Sequence, residues 1–412
     1  MRGHAVTLDD ARALDRADPL GPLRERFQLP PGIIYLDGNS LGALPLATAG
    51  KLRGVIKQQW GDDLIASWNR HGWIDAPRRV AAKLAPLLGA DPDGLLIADS
   101  TSICLFKLLA AAARARPGRS KILAQQSNFP TDLYVAGGVA ELLGLELVTV
   151  PTEAIVDALD DHVAVVTLSQ VEYSNGARAD MRRVNQAADA AGALCVWDLA
   201  HSAGASALDL AGDGCALAVG CGYKYLNGGP GAPAFIYVAP RLQGLLANPL
   251  PGWMGHAEPF AFDTAYRPAP DVSRFLSGTP SILALAALEA GLDTFADVAM
   301  ADLEAKSAAL SQTFIAEIEA RCGGAVTLAS PRDPAARGSH VVFAHPHGYA
   351  LIQALIAHGV IGDFRAPDLL RFGFAPLYNG FVEMVRAAAL LGDIIASGEW
   401  DQPRFHARAK VT

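Results

Sequence analysis

Between Leu95 and Val238 the chain alternates short, unbroken apolar runs with longer stretches whose apolar residues return every three or four positions. The short runs predict strands at 95–99, 121–124, 146–150, 163–169, 193–198, 215–221 and 234–238. The helical spacing predicts helices near 102–115, 132–143 and 180–191. Runs apolar on both faces cannot lie at a solvated surface, so the alternation predicts an α/β domain on a largely parallel sheet covered by helices. The strands after Asp198 and Lys224 follow in succession, and an antiparallel pair is expected among them.

Upstream, Thr7 and Asp10 have capping-box spacing ahead of an amphipathic helix reaching about Ala17. Ile33–Asp37 reads as a short strand, Gly38–Gly42 as a loop, Pro45 as the opening of a helix toward Trp60, and Arg78–Leu88 as a further helix. Ser67–Trp73 has no clear period, and its aromatics and histidine suit either a binding segment or a partly buried plug. Pro249–Pro280 is rich in Pro, Gly and aromatics, and so long an excursion inside a compact domain usually binds something. From Ser281 the alternation loosens. A helix there, a long one over Asp297–Arg321, a strand at His340–Ala344, a helix near 348–358, a strand around Leu369–Phe374 and a last helix to about Ile395 predict a smaller α+β domain. Glu399–Thr412 is expected to fray.

Composition narrows the class. At 412 residues the chain exceeds one simple core, and 51% hydrophobic residues supply ample interior for two. A net charge of -8 with scattered basic residues argues against nucleic acid or an anionic membrane as the main partner. No apolar run reaches the ~18–20 residues of a membrane helix, and Met1–Asp10 lacks the apolar core of a signal peptide. Five cysteines, several inside apolar runs, read as reduced core residues, so a cytoplasmic protein is expected.

The candidate chemistry gathers where strands end. Cys215–Cys221 reads as a buried strand that breaks at Gly222 and presents Tyr223 and Lys224 before a Gly/Pro-rich turn. A lysine there is badly placed as a solvated charge, and a neutral amine forms a Schiff base with an aldehyde such as pyridoxal 5'-phosphate (PLP). The bland alternative is a surface lysine. Asp198 shifts the balance, since it ends the preceding strand, with His201 three residues on. PLP needs a carboxylate at its pyridine nitrogen and a lysine for its aldehyde, and α/β sheets bind ligands at the carboxyl ends of their strands.

Other candidates follow from that pair. Thr101 and Ser102 open a helix after strand 95–99, which suits either a phosphate site or plain N-capping. Phe129 is placed to cover an aromatic ring or to pack in the core, and Asp132 to touch a ring's polar edge or to cap a helix. Ser169 ends its strand at the same edge. His201 serves either the cofactor's ring or phosphate, or the orientation of Asp198; both readings stay open. Tyr223 is the acid/base candidate. Arg371 sits inside an apolar run and wants a carboxylate, either a substrate's or that of an internal partner such as Asp363 or Asp368. His345-Pro-His347 offers two histidines without a third ligand and reads as a turn, so no metal is expected.

Five segments taken together, Tyr35–Gly42, Asn128–Asp132, Trp197–His201, Gly222–Gly231 and Gly252–His256, resemble the kynureninase family, especially its bacterial branch, over about residues 33–385. The resemblance implies a PLP enzyme of fold type I, with a large mostly parallel mixed sheet flanked by helices and a smaller α+β domain. It implies boundaries at 1–50 for an N-terminal segment packing with the small domain, 51–285 for the large domain and 286–412 for the small one. It further implies a homodimer with active sites at the subunit interface, and hydrolysis of L-kynurenine to anthranilate and L-alanine in tryptophan catabolism. By position, Lys224 is the cofactor lysine, Asp198 the partner of the pyridine nitrogen and Phe129 the stacking ring. Asp132, Ser169 and His201 complete the cofactor site. Thr101, Ser102 and Tyr223 take the phosphate, with Trp253 and Thr279 from the neighbouring subunit. Arg371, Asn39 and Trp68 meet the substrate. Animal members carry Asn and His where this chain has Thr279 and Trp68, and favour 3-hydroxykynurenine, so the departures point to plain kynurenine. A cysteine desulfurase or aminotransferase of the same fold, and a cofactor carrier without activity, are the competing expectations.

Overall fold

The computed structural model describes residues 6–408. They form two compact units, one of Ala47–Tyr173 and Ala179–Asp293, the other of Met1–Leu46, Ser174–Arg178 and Thr294–Thr412. The expected border at residue 285 falls inside the helix Ile282–Asp293, which belongs wholly to the larger unit.

The larger unit is built on seven strands: β1 (Leu95–Ala98), β2 (Lys121–Gln125), β3 (Glu146–Val150), β4 (Val163–Ser169), β5 (Leu194–Asp198), β6 (Leu217–Cys221) and β7 (Ala234–Val238). Their order is β1-β7-β6-β5-β4-β2-β3. The five from β3 to β6 run parallel, and β7 is antiparallel to both β6 and β1, which is the expected exception. Every residue of β1, β4, β5, β6 and β7 is buried, hence their unbroken apolar sequences. Crossovers are made by α1 (Thr101–Arg114), α2 (Pro130–Leu143) and α3 (Met181–Ala191). Pro130 starts α2, where its missing N–H costs nothing, and Gly144 ends it at φ +68. Pro249–Pro280 carries only two single helical turns, Trp253–Gly255 and Val272–Phe275. The helix expected from Pro45 runs instead from Leu46 to Gly54 and then loosens into a π-turn over Val55–Asp62.

In the smaller unit, β8 (Thr327–Leu328), β9 (His340–Ala344), β10 (Asp363–Arg365) and β11 (Leu369–Gly373) form an antiparallel sheet in the order β8-β9-β11-β10. Phe314 lies against Phe343, Phe372 and Phe374 at its core. The N-terminal helix Leu8–Ala17 has its capping box at Thr7, and Asp15 accepts from the Phe381 and Val382 amides that open the helix Phe381–Ser397. The C-terminal stretch does not fray throughout, because Pro403–His406 is helical and buries Phe405; residues 409–412 lie outside the described set.

The helix Ile282–Asp293, labelled α4, approaches the loop after Lys224 closely. A methyl group at Gly291 would stand 2.4 Å from the Leu226 carbonyl oxygen. Gly291→Ala should therefore cost about 1–3 kcal/mol of stability through forced backbone displacement. Urea unfolding at an unchanged midpoint would show that the approach is looser.

Candidate active site

The parallel register delivers the polar strand ends to one edge. Ser169 pairs with Asp198 across β4 and β5, and Asp198 with Val219 across β5 and β6, so the chain beyond Cys221 leaves beside the aspartate. Asp198 is 7% exposed, and its Oδ1 accepts from the Ala200 amide at 2.7 Å. Lys224, half-buried, places Nζ 3.0 Å from His201 Nε2. The Nε2 edge of the His201 ring thus faces the lysine. Lys224 makes no ion pair with Asp198 or Asp132 among the described residues, yet its charge bears on both.

Asp132 lies in the first turn of α2 and is 4% exposed, with Oδ2 buried and without a hydrogen-bond partner. Burial, then the charge of Asp198 and a hydrogen bond with it, push the Asp132 carboxyl well above the usual range. Burial raises Asp198 too, opposed by Lys224, the Ala200 amide and the bond to Asp132. Burial and mutual repulsion thus work against charge on both carboxyls, and Lys224 lowers the cost of charge on Asp198. Burial, then Cys221 and Asp198, raise the Tyr223 phenol, which keeps its proton at neutral pH.

Asn128 holds the wall opposite: its Oδ1 accepts from Ser169 Oγ at 2.6 Å and from the Phe129 amide at 2.8 Å. Phe129 stays 42% exposed, edge-on to Tyr173 at 5.2 Å, so core packing does not account for it. Ser100 precedes α1 in an extended conformation without a side-chain cap, and Thr101 and Ser102 are half-buried. The capping alternative for these hydroxyls is thus not what the structure holds. Trp253 lies edge-on to Phe260, and the exposed Thr279 borders a cavity of about 250 Å³ that Asp99 also lines. Trp68 is half-buried and edge-on to Trp73, whose Nε1 donates to Gln59 Oε1 at 2.7 Å.

The smaller unit holds the remaining two candidates. Arg371, 1% exposed, meets Asp363 through Nε at 2.8 Å and Nη2 at 2.5 Å, and Nη2 also reaches Ser40 Oγ at 3.1 Å. Of the two internal partners the sequence offers, Asp363 is the one found. Asn39 is fully buried against Gly373, and neither of its amide atoms has a partner. Sequence reasoning missed Asn128, although it stands inside a segment singled out for Phe129 and Asp132. All five cysteines are free and buried, and burial pushes their thiols up, Cys322 to about 11. No thiol is placed as the exposed nucleophile a desulfurase requires.

Comparison with known proteins decides the family. A kynureninase from Burkholderia mallei is 51% identical over 98% of this chain and 100% of its own length. One from Pseudomonas fluorescens is 48% identical over 99% and 100%.

The chain belongs to the kynureninase family.

Residues 303–391 match the model of the kynureninase C-terminal domain. In fold, the chain is similar to a cysteine desulfurase from Thermococcus onnurineus, with a TM-score of 0.78 at 17% identity over 91% of this chain and 98% of that one. It is equally similar to a C-DES variant with glycine covalently linked to its PLP cofactor, with a TM-score of 0.78 at 17% identity over 90% and 99%. Those likenesses establish the α/β architecture; the residues of the kynureninase motifs are what distinguish this chain from them.

A carboxyl raised by folding binds its proton more tightly than the unfolded chain does, so stability is lost as pH climbs from the ordinary carboxylate range toward the raised value. In the cofactor-free protein, Asp132→Asn should raise the urea midpoint at about pH 8 and confer much less near about pH 3, where the carboxyl is mostly protonated in both states. A gain equal at both ends would show that the Asp132 carboxyl is not raised by folding.

Proposed function

We propose that this protein, in the cytosol, hydrolyses L-kynurenine to anthranilate and L-alanine, with PLP gripped between Asp198 and Lys224. The observation that carries this reading is a buried carboxylate and a half-buried lysine on adjoining strand ends, electrostatically coupled without touching. The residues fit the cofactor. Asp132 brings an unpartnered carboxyl oxygen, α1 starts without a side-chain cap, and Phe129 keeps an exposed ring. When bound, PLP supplies an aldehyde for the substrate amine and a protonated ring that draws electrons from the substrate's Cα.

The protein's own groups divide the work. Asp198 would keep a proton on the ring nitrogen, and Asp132, whose own carboxyl is pushed up by burial and by Asp198, would support Asp198 from behind by hydrogen bonding. Phe129 covers the ring face, with Ser169 and His201 at its border. Thr101, Ser102, Tyr223 and the free amides of α1 receive the phosphate. With cofactor and substrate bound, Lys224 would take up the Cα proton and return it to Cα as alanine forms, with His201 at 3.0 Å to steady it. A water molecule adds to the aryl ketone, the Cβ–Cγ bond breaks, and anthranilate leaves. Tyr223, protonated at neutral pH, then protonates Cβ.

Arg371 takes the substrate carboxylate, preoriented by Asp363 and Ser40. Asn39 and Trp68 meet the rest of the substrate. Trp253 and Thr279, both exposed on their own subunit, complete the phosphate site of a second copy, which makes the working unit a homodimer.

Purified protein with PLP should release fluorescent anthranilate from kynurenine, and 3-hydroxykynurenine should turn over more slowly. No anthranilate would end the reading. Lys224→Ala should abolish both turnover and the visible absorbance of bound cofactor. Asp198→Asn should retain cofactor and lose activity by roughly a hundredfold or more; a near-normal rate would remove Asp198 from the ring nitrogen.

A further inference from the structure

Lys107 carries a charge that this chemistry does not use. It lies on α1 with 0% of its side chain exposed, a position that requires its ammonium to be paired. The side chain runs back along the helix, and Nζ donates to Asp99 Oδ2 at 2.6 Å and to the Phe275 carbonyl oxygen at 2.7 Å. These acceptors belong to segments far apart in sequence: Asp99 leads into the start of α1, and Phe275 into the segment of Thr279.

Asp99 links β1 to α1, two residues before Thr101, and adopts φ +38, a conformation unfavourable for a residue with a side chain. Its carbonyl accepts from the Ala234 amide at 3.0 Å, which holds the link to β7. Phe275 ends the turn Val272–Phe275. The chain then passes through Ser277, whose carbonyl accepts from the Met254 amide at 3.3 Å and whose hydroxyl donates to the Leu250 carbonyl at 2.7 Å, before reaching Thr279. One buried ammonium thus joins the open start of α1 to the segments that bear Thr279 and Trp253.

Charge gives the contact a purpose. The start of α1 favours anions through its unpaired amides and the helix dipole, yet Asp99 sets a carboxylate beside it. Left unneutralised, that carboxylate would repel a phosphate. We propose that Lys107 is a positioning residue for the cofactor phosphate, cancelling the charge of Asp99 beside the start of α1. This rests on the reading of that helix start as the phosphate site.

The test is titration of cofactor-free protein with PLP and with inorganic phosphate, followed by absorbance and tryptophan fluorescence. Lys107→Met should weaken binding of both by roughly tenfold or more, because it bares the Asp99 charge. Adding Asp99→Asn to it should restore binding to within about threefold of the unsubstituted protein, a rescue that a loss of packing would not show. Lys107→Met binding as tightly as the unsubstituted protein, or a double variant as weak as the single one, would overturn the proposal. Should Lys107→Met fail to fold, Asp99→Asn alone decides. A charge role predicts phosphate binding no weaker than before, and weaker binding contradicts it. If the unsubstituted protein binds PLP normally while these variants behave alike, only the role of Lys107 falls. If it binds no PLP at all, the phosphate site falls and the role of Lys107 with it.

Discussion

Two carboxyls and one ammonium share a nearly dry corner of the sheet edge, and much of the structure serves to keep them there. Asp132 and Asp198 cannot both ionise cheaply at such proximity, and burial penalises each charge further. Lys224 breaks the symmetry by favouring charge on Asp198. A pyridine ring with a proton on its nitrogen satisfies the same demand, because it brings a cation to a buried carboxylate.

Such tension has to be held by a rigid frame. Behind the strand edge, Glu172 accepts from Gln125 Nε2 at 3.2 Å and Ser127 Oγ at 2.9 Å, and Ser202 donates to Gln170 at 2.5 Å. Trp197, fully buried beside Asp198, donates its Nε1 to Asn185 at 2.8 Å and fixes β5 against α3. These bonds satisfy buried polar groups and deny the reactive side chains alternative rotamers, which keeps their geometry set before any ligand arrives. The smaller unit applies the same logic to a cation. Asp363 is shared by Arg371 and Arg365, and burial together with its charge lifts the neighbouring Asp37 carboxyl to about 7. The guanidinium of Arg371 is therefore oriented by a fixed anion.

Where the two kinds of evidence part is set by distance along the chain. All seven strands of the large sheet, its antiparallel member and the three crossover helices were legible in the order of residues, because each depends on local period and on complete burial. The placing of Lys224 and Asp198 at strand ends was legible too, since a strand end is a local feature and the parallel register then carries both to one edge. The short strands of the smaller unit were not legible in full. Two- and three-residue pairings such as Thr327–Leu328 and Asp363–Arg365 have no period to read.

Residue order by itself determined the layered architecture and the sheet edge at which the polar strand ends gather, both consequences of side-chain period and strand direction. Only the tertiary structure decided which groups face one another. It set His201 on Lys224, brought Asp132 into the field of Asp198, gave Arg371 to Asp363 and drew Lys107 between Asp99 and Phe275. Lys107 and Phe275 lie 168 residues apart, and Ser40 and Arg371 lie 331 apart. Such meetings depend on how whole elements pack, which no local pattern encodes.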